Sequence, residues 1–87
     1  MIAVPAPIPP AQLKRVLELH GYRPVSEDEF NWAMARGNEV PLIIPKDGEY
    51  VSVDVMMDAL HRAGLGTLGD YFPLRDRAAK ELGLAPN

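Results

Sequence analysis

The placement of nine prolines constrains this chain more than any other feature. Proline has no amide hydrogen and holds φ near −65°, so it can open a helix but cannot continue one, and a sheet tolerates it only where no ladder donor is needed. Four of the nine fall in the first ten residues, MIAVPAPIPP, which excludes a helix there and predicts an extended arm running along the body or into solvent. Pro10 suits the first turn of a helix. Behind it Leu13, Val16, Leu17 and His20 recur at i, i+3, i+4 and i+7, the spacing of one buried stripe. Gly21 can take the left-handed conformation that closes such a helix, with Tyr22 folding back onto the last turn. Pro24 pushes Arg23 out of helical geometry, so Arg23-Pro24-Val25 leads away extended.

The middle of the chain changes period from 3.6 to two. After the acidic run Ser26-Glu27-Asp28-Glu29, the bulky residues Phe30, Trp32 and Met34 alternate with Asn31, Ala33 and Ala35, which predicts a strand with one bulky face and one small face. Arg36-Gly37-Asn38-Glu39 makes the turn, and Val40 to Pro45 form a second strand that its prolines keep short and near an edge. Lys46-Asp47-Gly48 carries an Asp-Gly hairpin signal, which makes Glu49-Tyr50-Val51 a third strand of an antiparallel meander.

Ser52 fits an N-cap, Asp54 suits the positive end of the helix dipole, and Val53, Met56, Met57 and Leu60 give a second apolar stripe. Gly64-Leu65 repeats the stop at Gly21-Tyr22, a likeness of capping chemistry. In the tail, Pro73-Leu74, Ala78, Ala79 and Leu82 before Gly83 predict a short, weakly amphipathic third helix, to dock on the core or on a partner. The expected division is an arm over residues 1–10, an α-β-β-β-α core over 11–65 with two helices covering one face of a small antiparallel sheet, and a C-terminal loop and helix over 66–87. The fold class is α+β.

Eighty-seven residues support a single core of modest stability. With no cysteine there is neither a disulfide nor a thiolate metal site, which is compatible with a reducing cytoplasm. The opening lacks the basic start of a signal peptide, and no stretch approaches the roughly 20 apolar residues that span a bilayer, so a cytoplasmic protein without a membrane role is expected. A net charge of −3 gives no global attraction to phosphate. Lys14, Arg15, Arg36, Lys46, Arg62, Arg75, Arg77 and Lys80 are scattered and mostly sit beside acids, so RNA is disfavoured as a partner.

Three stretches, LKRVLELHGYRPV (13–25), VPLIIPKDG (40–48) and VSVDVMMDALHRAGL (51–65), together resemble the HicA, or YcfA-like, toxin family. The resemblance spans most of Leu13 to Leu65 and leaves the arm and tail outside. It implies a double-stranded-RNA-binding-like sandwich, messenger-RNA cleavage restrained by an antitoxin, and a histidine on the first strand after a glycine-serine pair. The matching stretch here, Asp28-Glu29-Phe30-Asn31-Trp32, holds no histidine, and the chain is acidic where the family tends to be basic. These departures put both the general base and the phosphate-binding surface that the resemblance implies in doubt.

The two histidines are the remaining proton carriers near neutral pH. His20, on the apolar stripe beside its glycine stop, reads as packed or capping, which leaves His61 as the catalytic candidate. Asp54, Asp58 and His61 at i, i+4 and i+7 could hold a divalent ion, tune the imidazole or form a solvated polar face; no metal and no cofactor is expected. Asp28 and Glu29 read as a loop charge run before an acid–base pair. Trp32 with Phe30 could stack bases or lie beneath the helices, and Trp32, Arg36, Lys14 and Arg15 form the candidate set for nucleic acid or a partner. Met56 and Met57 read as core filler before a partner groove. A phosphate-cradling glycine loop, a nucleophile elbow and zinc-type ligand spacing are all missing.

The expected function is that of a non-catalytic HicA-like domain that binds a protein, such as an antitoxin-like one, or its own copy. The surfaces offered are the edge beside Pro41 and Pro45, the arm and the tail. The alternatives are an RNA-binding toxin acting as a metal-independent ribonuclease through His61, and a phage-type accessory protein.

Overall fold

The computed structural model describes residues 4–84, in the order α1 (Pro10–Leu19), β1 (Arg23–Glu27), β2 (Asn31–Ala35), β3 (Leu42–Pro45), α2 (Val53–Arg62) and α3 (Tyr71–Glu81). The strands form one antiparallel sheet in the order β1-β2-β3, and the fold is α+β. The arm's first three residues and the last three of the tail lie outside the described residues.

The helices follow their capping chemistry. Pro10 opens α1 at its first turn, and the Ser52 hydroxyl accepts the amide of Val55 at 3.4 Å to open α2. All three helices close in one way, with a glycine at positive φ and the next residue's amide reaching back five residues: Tyr22 to Leu17 at 2.9 Å, Leu65 to Leu60 at 2.7 Å and Leu84 to Ala79 at 2.8 Å. The glycines are Gly21, Gly64 and Gly83.

The sheet departs from the expected meander by one element. Arg23–Glu27, expected to be an extended lead followed by an acidic loop, is the first strand, and Glu49 to Val51 are not a strand at all. Two contacts account for the difference. One oxygen of Asp28 accepts the amides of both Phe30 and Asn31 at 2.8 Å, which builds a turn inside the acidic run and lets β1 fold back on β2. The Val51 amide instead donates to the Ile8 carbonyl of the arm at 2.8 Å, so the bend at Gly48-Glu49-Tyr50 leads away from β3 rather than into a hairpin. Phe30 sits in that first turn and is 56% exposed.

Met34, Leu42 and Ile44 line the inner face of the sheet, and Leu13, Val16 and Leu17 of α1 with Met56, Ala59 and Leu60 of α2 complete the layer above it. Met57, expected on that stripe, is largely outside it. The same cluster extends to Ile8 of the arm and to Leu65, Leu68, Tyr71 and Ala78, so arm and tail dock on the core. Gln12 fixes α3 to α1 by donating to the Arg75 carbonyl at 3.0 Å, and Arg15 meets Glu81 at 2.6 Å. Tyr71 anchors α3; Leu82, expected on its buried stripe, is 44% exposed.

The strand prolines face outward. Lys46 donates to Phe30 at 2.8 Å, and because hydrogen-bonded pairs alternate, residues 44 and 42 bond to β2 while Pro41, Ile43 and Pro45 point their backbone away. On the far side Asp28 donates to Asn31 at 2.9 Å, so Ser26 and Arg23 bond inward while Glu27 and Pro24 face out, with a bulge between Pro24 and Ser26. Each edge thus has a proline where an incoming strand would need a donor. The edge beside Pro41 and Pro45 offers Ile43 as its one outward amide in β3, which makes it a poor template for another strand.

Candidate functional site

The structure separates the residues singled out for catalysis. His61 is exposed on α2 at the rim of a cavity of about 170 Å³ lined by Pro5, Met57, Leu60, Gly66 and Leu68, with no carboxylate among its walls. Asp54 and Asp58 border a different cavity of about 250 Å³, between α2 and the Leu42-Ile43 stretch of β3, and Asp58 pairs with Arg62 at 3.7 Å. The i, i+4, i+7 trio therefore does not converge on one point, and among the described residues no group of three His, Cys, Asp or Glu side chains gathers as a metal site. His20 takes the structural role: its Nε2 lies 3.1 Å from the Ala63 carbonyl, joining the C-terminal end of α1 to that of α2.

Arg36 serves that same junction. Its Nη1 donates to the carbonyls of His20 and Ala63, each at 3.4 Å, and its guanidinium stands over the Tyr22 ring at 4.7 Å. A cation at two helix C-termini meets the negative end of both dipoles. Glu39 grips the other side of the guanidinium at 2.8 and 3.2 Å, and this pairing holds the Glu39 carboxyl below its ordinary range.

Lys14 and Trp32 do come together. The Lys14 ammonium lies 5.3 Å and that of Lys46 5.7 Å from the centre of the half-buried Trp32 ring. Lys46 is salt-bridged to Glu27, whose carboxyl it lowers, and Lys14 is paired with Glu18 at 3.5 Å. Two ammonium groups over the ring hold positions a stacked base would need, and both are already neutralised by in-chain acids. Arg15 is spent on Glu18 and Glu81. Of the nine cations, Lys14, Arg15, Arg36, Lys46, Arg62, Arg75 and Arg77 have carboxylate partners; Arg23 and Lys80 have none among the described residues.

A further surface is the outer face of the sheet, opposite the helices. Register places Ala33 beside Ile43 and Ser26, Ala35 beside Arg23, and Asn31 beside Pro45 on this face, with Val25 in the adjoining bulge. Val25 is 58% and Ile43 57% exposed, while Ala33 and Ala35 between them are half-buried. A solvated sheet face normally carries charged and hydroxyl side chains. Here six of the nine positions are Ala, Val, Ile or Pro once Pro41 is counted, and Arg23 is the one charge. The signal for this face was present as the small side of the Phe30–Ala35 alternation, but only the pairing of three strands brings Val25, Arg23 and Ile43 to it.

Comparison with known proteins finds no matching family model, no matching curated protein and no matching solved structure. Among the described residues no helix is long and apolar enough to cross a membrane.

Proposed function

We propose that the chain is a non-catalytic protein-binding domain of HicA-like arrangement, a double-stranded-RNA-binding-type sandwich with an added helix, working in the cytoplasm through the outer face of its sheet. The observation that carries the reading is this uncovered apolar face, set against acid–base groups that do not converge and lysines and arginines that are mostly neutralised within the chain. Gripping needs an accessible apolar patch with few charges at its centre, whereas RNA cleavage needs a proton carrier beside free cations. The cavity beside His61 is lined by Pro5, Met57, Leu60, Gly66 and Leu68, with no lysine or arginine among them. The arm and tail have residues engaged with the chain's own core, and the strand edges carry outward prolines, which favours the sheet face as the surface for a partner.

The test is paired capture. The intact protein and its Ala33→Arg variant are exposed to the same cell extract, each retained protein is identified, and the interaction is rebuilt from purified components. A partner that binds the wild type and is lost with Ala33→Arg supports the reading. RNA cleavage by the pure protein that disappears with His61→Ala, together with growth arrest on expression, would replace it with the toxin reading.

A further inference from the structure

Independently of the sheet face, we infer that the cleft between the arm and α3 binds a small organic acid: a singly charged carboxylate on an aromatic or branched apolar body that also offers one N–H or O–H donor. The cleft encloses about 680 Å³ between Ala6 to Pro9 of the arm and one side of α3, with Gln12 and Tyr50 also on its walls. Small-molecule sites measure about 300–1,000 Å³, a range that the cavities beside His61 and Asp58, of about 170 and 250 Å³, do not reach. Its walls are fixed before a ligand arrives. Proline holds its own backbone, so Pro7 and Pro9 are stiff, and the arm is pinned by the buried Ile8 and by the Val51 amide donating to the Ile8 carbonyl at 2.8 Å. Across the cleft, α3 is tied to α1 by Gln12 at the Arg75 carbonyl, 3.0 Å, and by Arg15 at Glu81, 2.6 Å. A preformed cleft spares a ligand the cost of ordering its walls.

Three features set the chemistry of the ligand. The first is Gln12, a polar side chain only 6% exposed. The Arg75 carbonyl takes its Nε2 and so fixes the orientation of the amide. Its Oε1 accepts no hydrogen bond among the described residues and is not sealed off as the Tyr71 hydroxyl is, so it opens to the cleft that Gln12 lines and can accept from a ligand there. The second feature is charge. Arg75, Asp76 and Lys80 line the cleft. Asp76 occupies Nε and Nη2 of Arg75, each at 2.9 Å, and that guanidinium stands over the Phe72 ring at 4.8 Å. Lys80 has no carboxylate partner among the described residues. One unmatched positive charge suits a singly charged carboxylate, whereas a phosphate, which carries more charge and favours a forked guanidinium, finds the Arg75 fork already filled. The third feature is the apolar remainder, Pro7, Ile8, Pro9, Ala79 and Leu84, with the ring of Tyr50, 57% exposed, on which an aromatic body can stack.

The probe is N-benzoyl-phenylalanine, which joins two aromatic rings, one amide N–H and one carboxylate, with its neutral carboxamide as control; each is titrated into the isotope-labelled chain and followed by NMR. Saturable shifts centred on Ile8, Ala79, Leu84 and the Gln12 side-chain amide are expected, with the acid binding about two- to fivefold tighter than the carboxamide. Lys80→Ala, an exposed change, is expected to bring the acid down to the affinity of the carboxamide and to leave the carboxamide's own affinity unchanged, a split that a merely structural effect would not produce. Ala79→Phe fills the cleft from a half-buried position on its wall and is expected to abolish binding of both compounds while the spectrum of the sheet is kept. Should that variant not fold, the Lys80→Ala comparison decides alone. No saturable binding by about 10 mM acid, shifts centred on another surface, equal affinities for acid and carboxamide, or undiminished binding to folded Ala79→Phe overturns the inference. Each of these results leaves the proposed function standing, since that is tested by the extract capture.

Discussion

Replacing Tyr71 by phenylalanine is expected to stabilise the protein. Tyr71 is fully buried at the start of α3, its ring lies 5.7 Å from that of Phe72, and its hydroxyl has no hydrogen-bond partner among the described residues. A buried hydroxyl left without a partner costs about 1–3 kcal/mol of desolvation, and phenylalanine removes it while keeping the ring. A gain of about 1 kcal/mol is expected after the small void left by the oxygen, which raises Tm by about 4–8 °C in a domain of this size. The same burial gives a pH signature, since it pushes the Tyr71 phenol up from 10.0 to about 12. Its folded pKa lies above its unfolded one, so the folded state holds the proton longer. The associated stability is complete below about pH 10 and is lost as pH rises toward 12, on the order of 2–3 kcal/mol over the window. Urea titrations at pH 8 and pH 11, read by Trp32 fluorescence, would show wild type losing more stability than Tyr71→Phe. A variant destabilised by 1 kcal/mol or more at pH 8, or one with the same alkaline loss as wild type, would refute the reasoning.

Two further expectations separate the faces of the sheet and test its first turn. Met34→Ala, on the inner face at 0% exposure, is expected to cost about 2–5 kcal/mol, while Ile43→Ala on the outer face changes stability by less than about 1 kcal/mol; equal losses in denaturant titration would contradict the assignment of faces. The amides of Phe30 and Asn31 hold the Asp28 carboxyl below its ordinary range, so its contribution is present above the unfolded carboxyl range and is lost as pH falls through the lower folded value. Asp28→Ala is therefore expected to speed amide exchange at Phe30 and Asn31 at neutral pH, and to flatten the acid limb of their exchange profile; unchanged exchange would remove Asp28 as the builder of the turn.

The helices were legible because their signals are local: a stripe of period 3.6, a serine or proline at the start, and a glycine followed by an apolar residue at the end, as at Gly21-Tyr22 and Gly64-Leu65. β1 was not, because all five of its residues are exposed and a strand without a buried face leaves no alternation to read. Glu49 to Val51 misled for the opposite reason. Asp47-Gly48 is a sound local turn signal, but the partner that takes the Val51 amide is Ile8, far off in the arm. Arg36 looked like a surface cation because its two carbonyl partners lie 16 and 27 residues away. Trp32 and Lys14 stood in one candidate set, but that they meet, and how their charge is balanced by Lys46, Glu27 and Glu18, depends on contacts between distant parts of the chain.

The most direct measurement on the central claim is a methyl and aromatic-ring NMR map of the folded protein with its captured partner bound. Shifts concentrated on Val25, Ala33, Ala35 and Ile43, with the resonances of Trp32 and His61 unmoved, are what the account predicts. Shifts concentrated around His61 or Trp32, with the methyl groups of the four outer-face residues unaffected, would contradict it.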